Sequence, residues 1–251
     1  RRVLEVAVGA DVTLRGLTII NGRHADKAGA ILNRGTLTVA ECTFSGNTAV
    51  GEVGLTALGG AIANYGSLTV TDSTFANNSV GSIFPGVVVP GRGGAIYSAP
   101  GASLAVTGSV LTENGAIGAG GALHSLGTLD VQGTAFTRNG AFEGSGGAIY
   151  HAGAGPATLS DCALADNISG AAFGSGGLGG AIHSEGPLTV SGSTLSGNSA
   201  TMGGGIANGL AGTLQVTAST FLTNTASNTG GGIYSVGTLV AEDCVWEANT
   251  A

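Results

Sequence analysis

The chain has 251 residues, a net charge of −7, 9% charged and 43% hydrophobic residues, and 48 glycines against five prolines. That hydrophobicity with so little charge excludes a disordered chain, and the proline count excludes collagen. One lysine, Lys27, among eight cations leaves too few to build a nucleic-acid-binding face, and no apolar run is long enough for a membrane-spanning helix.

The sequence repeats itself. "GGAIANYGSLTVTDSTFANN" at 59–78 returns as "GGAIHSEGPLTVSGSTLSGN" at 179–198, with looser copies around both. Such self-similarity marks a stacked-repeat architecture. In chain order each copy opens on a GGAI-like stretch, a short strand with Ile62 inward in the quoted copy. An L-x-V alternation follows, Leu68 and Val70 here, with the period of two of a half-buried strand. A polar pair, Thr71 and Asp72, turns the chain into a third short strand whose inward anchor is Phe75. The anchors recur as Ile19, Phe44, Phe75, Leu111, Phe136, Leu164, Leu195, Phe221 and Trp246. Three strands per repeat predict an all-β chain: a right-handed parallel β-helix of about nine coils, one domain over residues 1–251. Stacked coils bury a core that a single coil cannot.

Three residues after the anchor stand Asn47, Asn78, Asn114, Asn139, Asn167, Asn198, Asn224 and Asn249. Neighbours in one column lie about 4.8 Å apart, so these predict a structural amide ladder. Cys42, Cys162 and Cys244 share another column, otherwise mostly Ser or Thr. At three or four coils apart, about 14–19 Å, they are too distant for a disulfide or a shared metal. They are expected to be free, buried thiols.

One column is a candidate binding surface. Tyr97, His124, Tyr150 and His183 each follow the inward Ile or Leu, so they are expected to point outward as a row of rings on the surface. The row suits stacking on glycans or on a partner's side chains, and equally rings that only stack on one another. His151, one place later, belongs to a Ser/Asn column and is expected in a turn. Insertions gather at one corner: the spacing from ladder Asn to the next inward residue is 9 from Asn114 to Leu123 but 18 from Asn78 to Ile96. The longest insertion carries Ile83, Phe84, Val87 and Val88, and Phe142 and Phe173 leave the same corner later. These residues make either an exposed apolar interaction patch or a loop folded back on the coil with a small strand of its own.

Catalytic groups do not converge. Glu41, Asp72, Asp161 and Asp243 share a turn column, Asp130 stands alone, and Arg92 and Arg138 are the cations well inside the middle coils. No paired carboxylates with a base, no nucleophile–base pair and no metal-ligand spacing appears, so no catalytic residue, metal or cofactor is expected. A carbohydrate-active enzyme, or a non-catalytic glycan-binding relative, is the alternative.

The GGA[IL] tetrapeptides at 59–62, 93–96, 120–123, 146–149 and 179–182 alternate with FxxN at 44–47, 75–78, 136–139 and 221–224. This pattern resembles the passenger β-helix of chlamydial polymorphic membrane proteins, whose repeats share a pectin-lyase-like fold. The resemblance implies a secreted or cell-surface bacterial protein, often adhesive. The final repeat stops just after Asn249, so the chain is expected to be a segment of a longer one, meeting other chains through corner loops or open solenoid ends, or meeting glycans.

Overall fold

A computed structural model describes residues 1–52, 55–84, 87–170 and 176–251, and for Ile83 and Phe84 the backbone alone. The described chain is all strand and turn, wound into nine turns of a parallel β-solenoid. The first sheet stacks nine short strands, Leu4–Val6, Ile31–Asn33, Ile62–Asn64, Ile96–Ser98, Leu123–Ser125, Ile149–His151, Ile182–Ser184, Ile206–Asn208 and Ile233–Ser235. The second holds the L-x-V strands, from Asp11–Arg15 to Thr238–Glu242, and the third the anchor strands, from Thr18–Ile20 to Val245–Glu247. Register is kept column by column: Ile62 opposes Ile31 and Ile96, Leu68 opposes Leu37 and Leu104, and Phe75 opposes Phe44 and Leu111. These columns form one continuous buried core from Val6 to Phe221. Phe44 and Phe75 lie face to face at 4.7 Å, and so do Phe221 and Trp246 at 4.3 Å.

The reading of three strands per coil is incomplete. A fourth sheet of eight strands, from Arg23–Ala25 to Thr225–Thr229, follows the ladder asparagines. Its inward residues are small, among them Ala49, Val80 and Ala116, and they close the corner that carries the insertions.

The GGA[IL] motif has two separate causes. Gly59 takes φ +63°, a left-handed turn that side chains resist. Gly60 does not, but a methyl group there would lie 2.0 Å from the carbonyl oxygen of Gly94 on the next coil. Ala61 and Ile62 then enter the core. The turn column of Glu41, Asp72, Asp161 and Asp243 is also left-handed, with φ of 47–55°.

The ladder asparagines from Asn78 to Asn224 use every polar valence. Asn114 Nδ2 donates back to the Phe75 carbonyl at 2.9 Å and forward to Asn139 Oδ1 at 3.0 Å, and its Oδ1 accepts from the backbone N–H and the Nδ2 of Asn78. The pattern runs from Asn47 to Asn249. The serine-rich column makes a second ladder: Ser73 Oγ accepts the Cys42 N–H at 3.0 Å and donates to the Thr71 carbonyl at 2.7 Å. The cysteines in that column are free; Cys42 and Cys162 are buried, while Cys244 is only half-buried, a departure from the expected three buried thiols because the coil around it has a neighbour on one side.

Candidate functional site

The ring row lies on the outer face of the first sheet, in register: Ala63 against Tyr97, Tyr97 against His124, His124 against Tyr150, Tyr150 against His183. Alternation placed these side chains correctly, away from the central core. Their exposure differs from expectation. Tyr97, His124 and His183 are only 5%, 2% and 4% exposed, and Tyr150 is half-buried. The corners on both sides of the sheet rise above it and wall the row in. On one side Ala57–Leu58 pairs in parallel with Gly91–Arg92, so the insertions build a parapet. On the other, Ala99, Ala102 and Leu126 close over Tyr97, together with Leu58 from the first wall.

The rings stack on one another. Tyr97 and His124 sit 5.5 Å apart at 29°, His124 and Tyr150 4.7 Å apart at 19°, and Tyr150 meets His183 edge-on at 5.1 Å. Tyr65 flanks Tyr97 at 6.1 Å and carries the Lys27 ammonium 5.6 Å above its ring. Faces that touch each other are not free to stack on a ligand, and Nδ1 of His124 and both nitrogens of His183 are buried, so the row offers its phenol hydroxyls.

The imidazoles are held neutral. Burial, reinforced by the Arg92 charge, depresses His124 to about 3, and its Nδ1 is buried without a hydrogen-bond partner. Burial also lowers His183, partly offset by Glu185, whose Oε1 lies 3.0 Å from Nε2 without a directed hydrogen bond. Burial raises Tyr97 and Tyr150, and Arg92 opposes the rise in both. His151 is not a turn residue: it ends the strand Ile149–His151, fully buried, with Nε2 3.1 Å from the Gly155 carbonyl. Its column, read as a turn, is a further ladder in which Asn33 Nδ2 donates to Asn64 Oδ1 and Asn64 Nδ2 to Ser98 Oγ.

Two hollows open over this face. A 300 Å³ trough is lined by Arg92, Ala119, Ser145, Leu126, Ala152 and the rings of His124, Tyr150 and His183, with Gly144. A 530 Å³ notch shares Leu126 and Ala152 with it and reaches Pro100, Gly101 and Gly155. The notch exists because two residues, Leu126 and Gly127, join the first and second sheets in that coil, while its neighbours use four (99–102) and five (152–156). Glu185 is the site residue that the sequence reading missed. Its signal was alternation, since it follows His183 by two positions.

The corner insertion 81–92 does form strands of its own: Ser82–Phe84 pairs antiparallel with Val87–Val89. Val89 is buried against Gly51, whereas Val87 and Val88 are 39% and 38% exposed and line a 310 Å³ hollow with Leu55, Thr56 and Pro90. Phe142 is partly exposed, its ring lying over Gly115 and Gly140. The side chains of Ile83 and Phe84 and the whole of Phe173 lie outside the described residues. The acids do not converge: Glu41 pairs with Arg15 at 2.5 Å, Asp130 accepts from Thr158, and Glu113 pairs with Arg138 at 2.8 Å. Among the described residues no group of three or more His, Cys, Asp or Glu is placed to hold a metal, and no helix is long and apolar enough to cross a membrane.

A family model, that of the Chlamydia polymorphic membrane protein repeat, matches residues 41–65, 72–99 and 218–236. The first two segments run through the Cys42 and Ser73 coils, including Asn47, Asn78 and Tyr97, and the third spans Phe221 to Tyr234. No curated protein and no solved structure matches the chain.

Proposed function

From the Chlamydia polymorphic membrane protein repeats that the chain carries on a parallel β-solenoid, we propose that it is a structural and adhesive module of the bacterial cell surface. It is a stiff rod that meets other chains through one corner. The observation that carries this reading is the division of labour along the sequence. The repeat letters fill core columns and amide and hydroxyl ladders. The departures from the repeat gather at one corner, where Leu55, Val87 and Val88 stand exposed around a hollow. An exposed apolar cluster on a rod whose ladders satisfy their own polar groups is the signature of a contact surface.

Beads coated with the 251-residue chain should adhere to cultured host cells more than albumin-coated beads do. The double substitution Val87→Asn and Val88→Asn, at exposed positions that spare the core, should cut that adhesion several-fold with an unchanged circular dichroism spectrum. Adhesion no greater than with albumin would count against the adhesive reading. Adhesion unaffected by the two substitutions would move the contact away from this corner.

A further inference from the structure

The trough over the first sheet is polar in a directed way. Arg92 stands in its wall and makes no ion pair among the described residues. It lines the trough together with the rings of His124, Tyr150 and His183. At the far end Glu185 stands 3.0 Å from His183. Between these two charges lie ring edges, because Tyr97, His124 and Tyr150 have their faces against one another. Nδ1 of His124 and both ring nitrogens of His183 are buried without a hydrogen-bond partner beneath the trough, out of a ligand's reach. Such unmet polar atoms are uncommon in folded proteins.

The chemistry selects among occupants. An unpaired guanidinium matches a carboxylate with two parallel hydrogen bonds. A carboxylate such as Glu185 accepts from hydroxyls, and phenol hydroxyls donate or accept. An extended peptide has less to hold. The trough covers the face of a sheet whose strands Ile96–Ser98 through Ile182–Ser184 are paired on both sides, so no free strand edge is offered for a peptide to extend. The hollows, 300 and 530 Å³ and sharing Leu126 and Ala152 in their linings, are in the range of small-molecule clefts, about 300–1,000 Å³. The notch runs on past the last charged residue, between the small residues Gly101 and Gly155, and leaves room for a chain to continue.

We infer that this trough is a binding site for a carboxylated oligosaccharide, whose acid group pairs with Arg92 while its hydroxyls meet Tyr150 and Glu185. The inference rests on the cell-surface reading for the chain's access to extracellular glycans. Its geometry is independent of the Val87 and Val88 corner.

Calorimetric titration of the whole chain tests it, with trigalacturonate, a hyaluronan tetrasaccharide, methyl-esterified trigalacturonate and hexaglutamate as probes. At least one of the two acidic sugars should bind saturably, and which one does identifies the uronate source. The ester should bind roughly tenfold more weakly or worse, and Arg92→Ala should weaken the acid to a similar degree. Raising the salt concentration should weaken the acid and leave any residual ester binding unchanged. Arg92 is exposed, so the variant should keep the wild-type circular dichroism spectrum. The inference is overturned if neither acid binds at millimolar concentration, if ester and acid bind alike, if Arg92→Ala changes nothing, or if hexaglutamate binds as tightly as the sugars. Bead adhesion with no acid binding would end this inference and leave the surface-rod reading intact; acid binding without adhesion would support this inference and count against the adhesive reading.

Discussion

At the residue scale, His124 shows what the neighbourhood does to one side chain. It was legible as a non-core position from alternation alone, yet its burial was not, because that depends on corner segments tens of residues away. The consequence is a pH dependence with a definite sign. Folded His124 titrates at about 3, and in the unfolded chain it returns to roughly 6.5. Between those values the unfolded chain binds the extra proton, so the stabilising effect of neutrality is complete above pH 6.5 and declines as the pH falls toward 3. His151 and His183 are shifted in the same direction, also chiefly by burial. Lowering the pH from 7 to 5 should therefore cost about 2 kcal/mol through His124 alone. Urea denaturation at the two pH values should show that fall, and His124→Phe, which keeps a flat ring in the stack and removes the orphaned Nδ1, should make it shallower. A fall of equal size in the variant would show that the acid sensitivity resides elsewhere.

At the scale of the element, what the sequence revealed follows from which strands carry their own signal. The L-x-V and anchor strands are written in large apolar residues at period two, and their inward columns fell where expected. In the fourth sheet Gly115–Ala116 and Gly140–Ala141 are strands of two small residues each. Glycine and alanine have little strand propensity. These pairs become strands because the coils above and below hold them in register, and no local pattern records that. The same stacking explains why glycines of one type tolerate change so differently. A methyl group at Gly94 would lie 2.0 Å from the Gly121 carbonyl oxygen, backbone that cannot move without displacing the next coil. Gly101 has φ +77° but open space around it. Gly101→Ala should cost about 1 kcal/mol, the local backbone penalty alone. Gly94→Ala should cost several kcal/mol or abolish soluble folding, because overpacking against backbone has no cheap relaxation. Paired urea titrations decide it, and equal losses at the two sites would show that coil spacing is softer than the geometry implies.

On the scale of the whole molecule, each coil touches only its two neighbours, so stability is a sum of coil and interface contributions and loss can spread from either end. The cysteines were read from the sequence as one column of separate thiols, and that placement makes them reporters of position along the rod. Cys244 lies in the ninth coil, half-buried; Cys42 lies in the second and Cys162 in the sixth, both buried. Each packs as a small core residue with its thiol donating to a nearby carbonyl, Cys42 to Ala40 at 3.2 Å and Cys162 to Ser160 at 3.2 Å. Burial also pushes the Cys162 thiol up, so it forms less of the reactive thiolate. In the native chain an aromatic disulfide reagent should label Cys244 first and leave the other two protected. With increasing urea, pulsed alkylation read by mass spectrometry should reach Cys42 next and Cys162 last, since the sixth coil is flanked by several on each side. If Cys42 and Cys162 are instead labelled at a single midpoint that coincides with the loss of circular dichroism, the rod unfolds as one cooperative unit. The amide ladder that links Asn47 to Asn249 would then couple the coils more strongly than nearest-neighbour stacking alone.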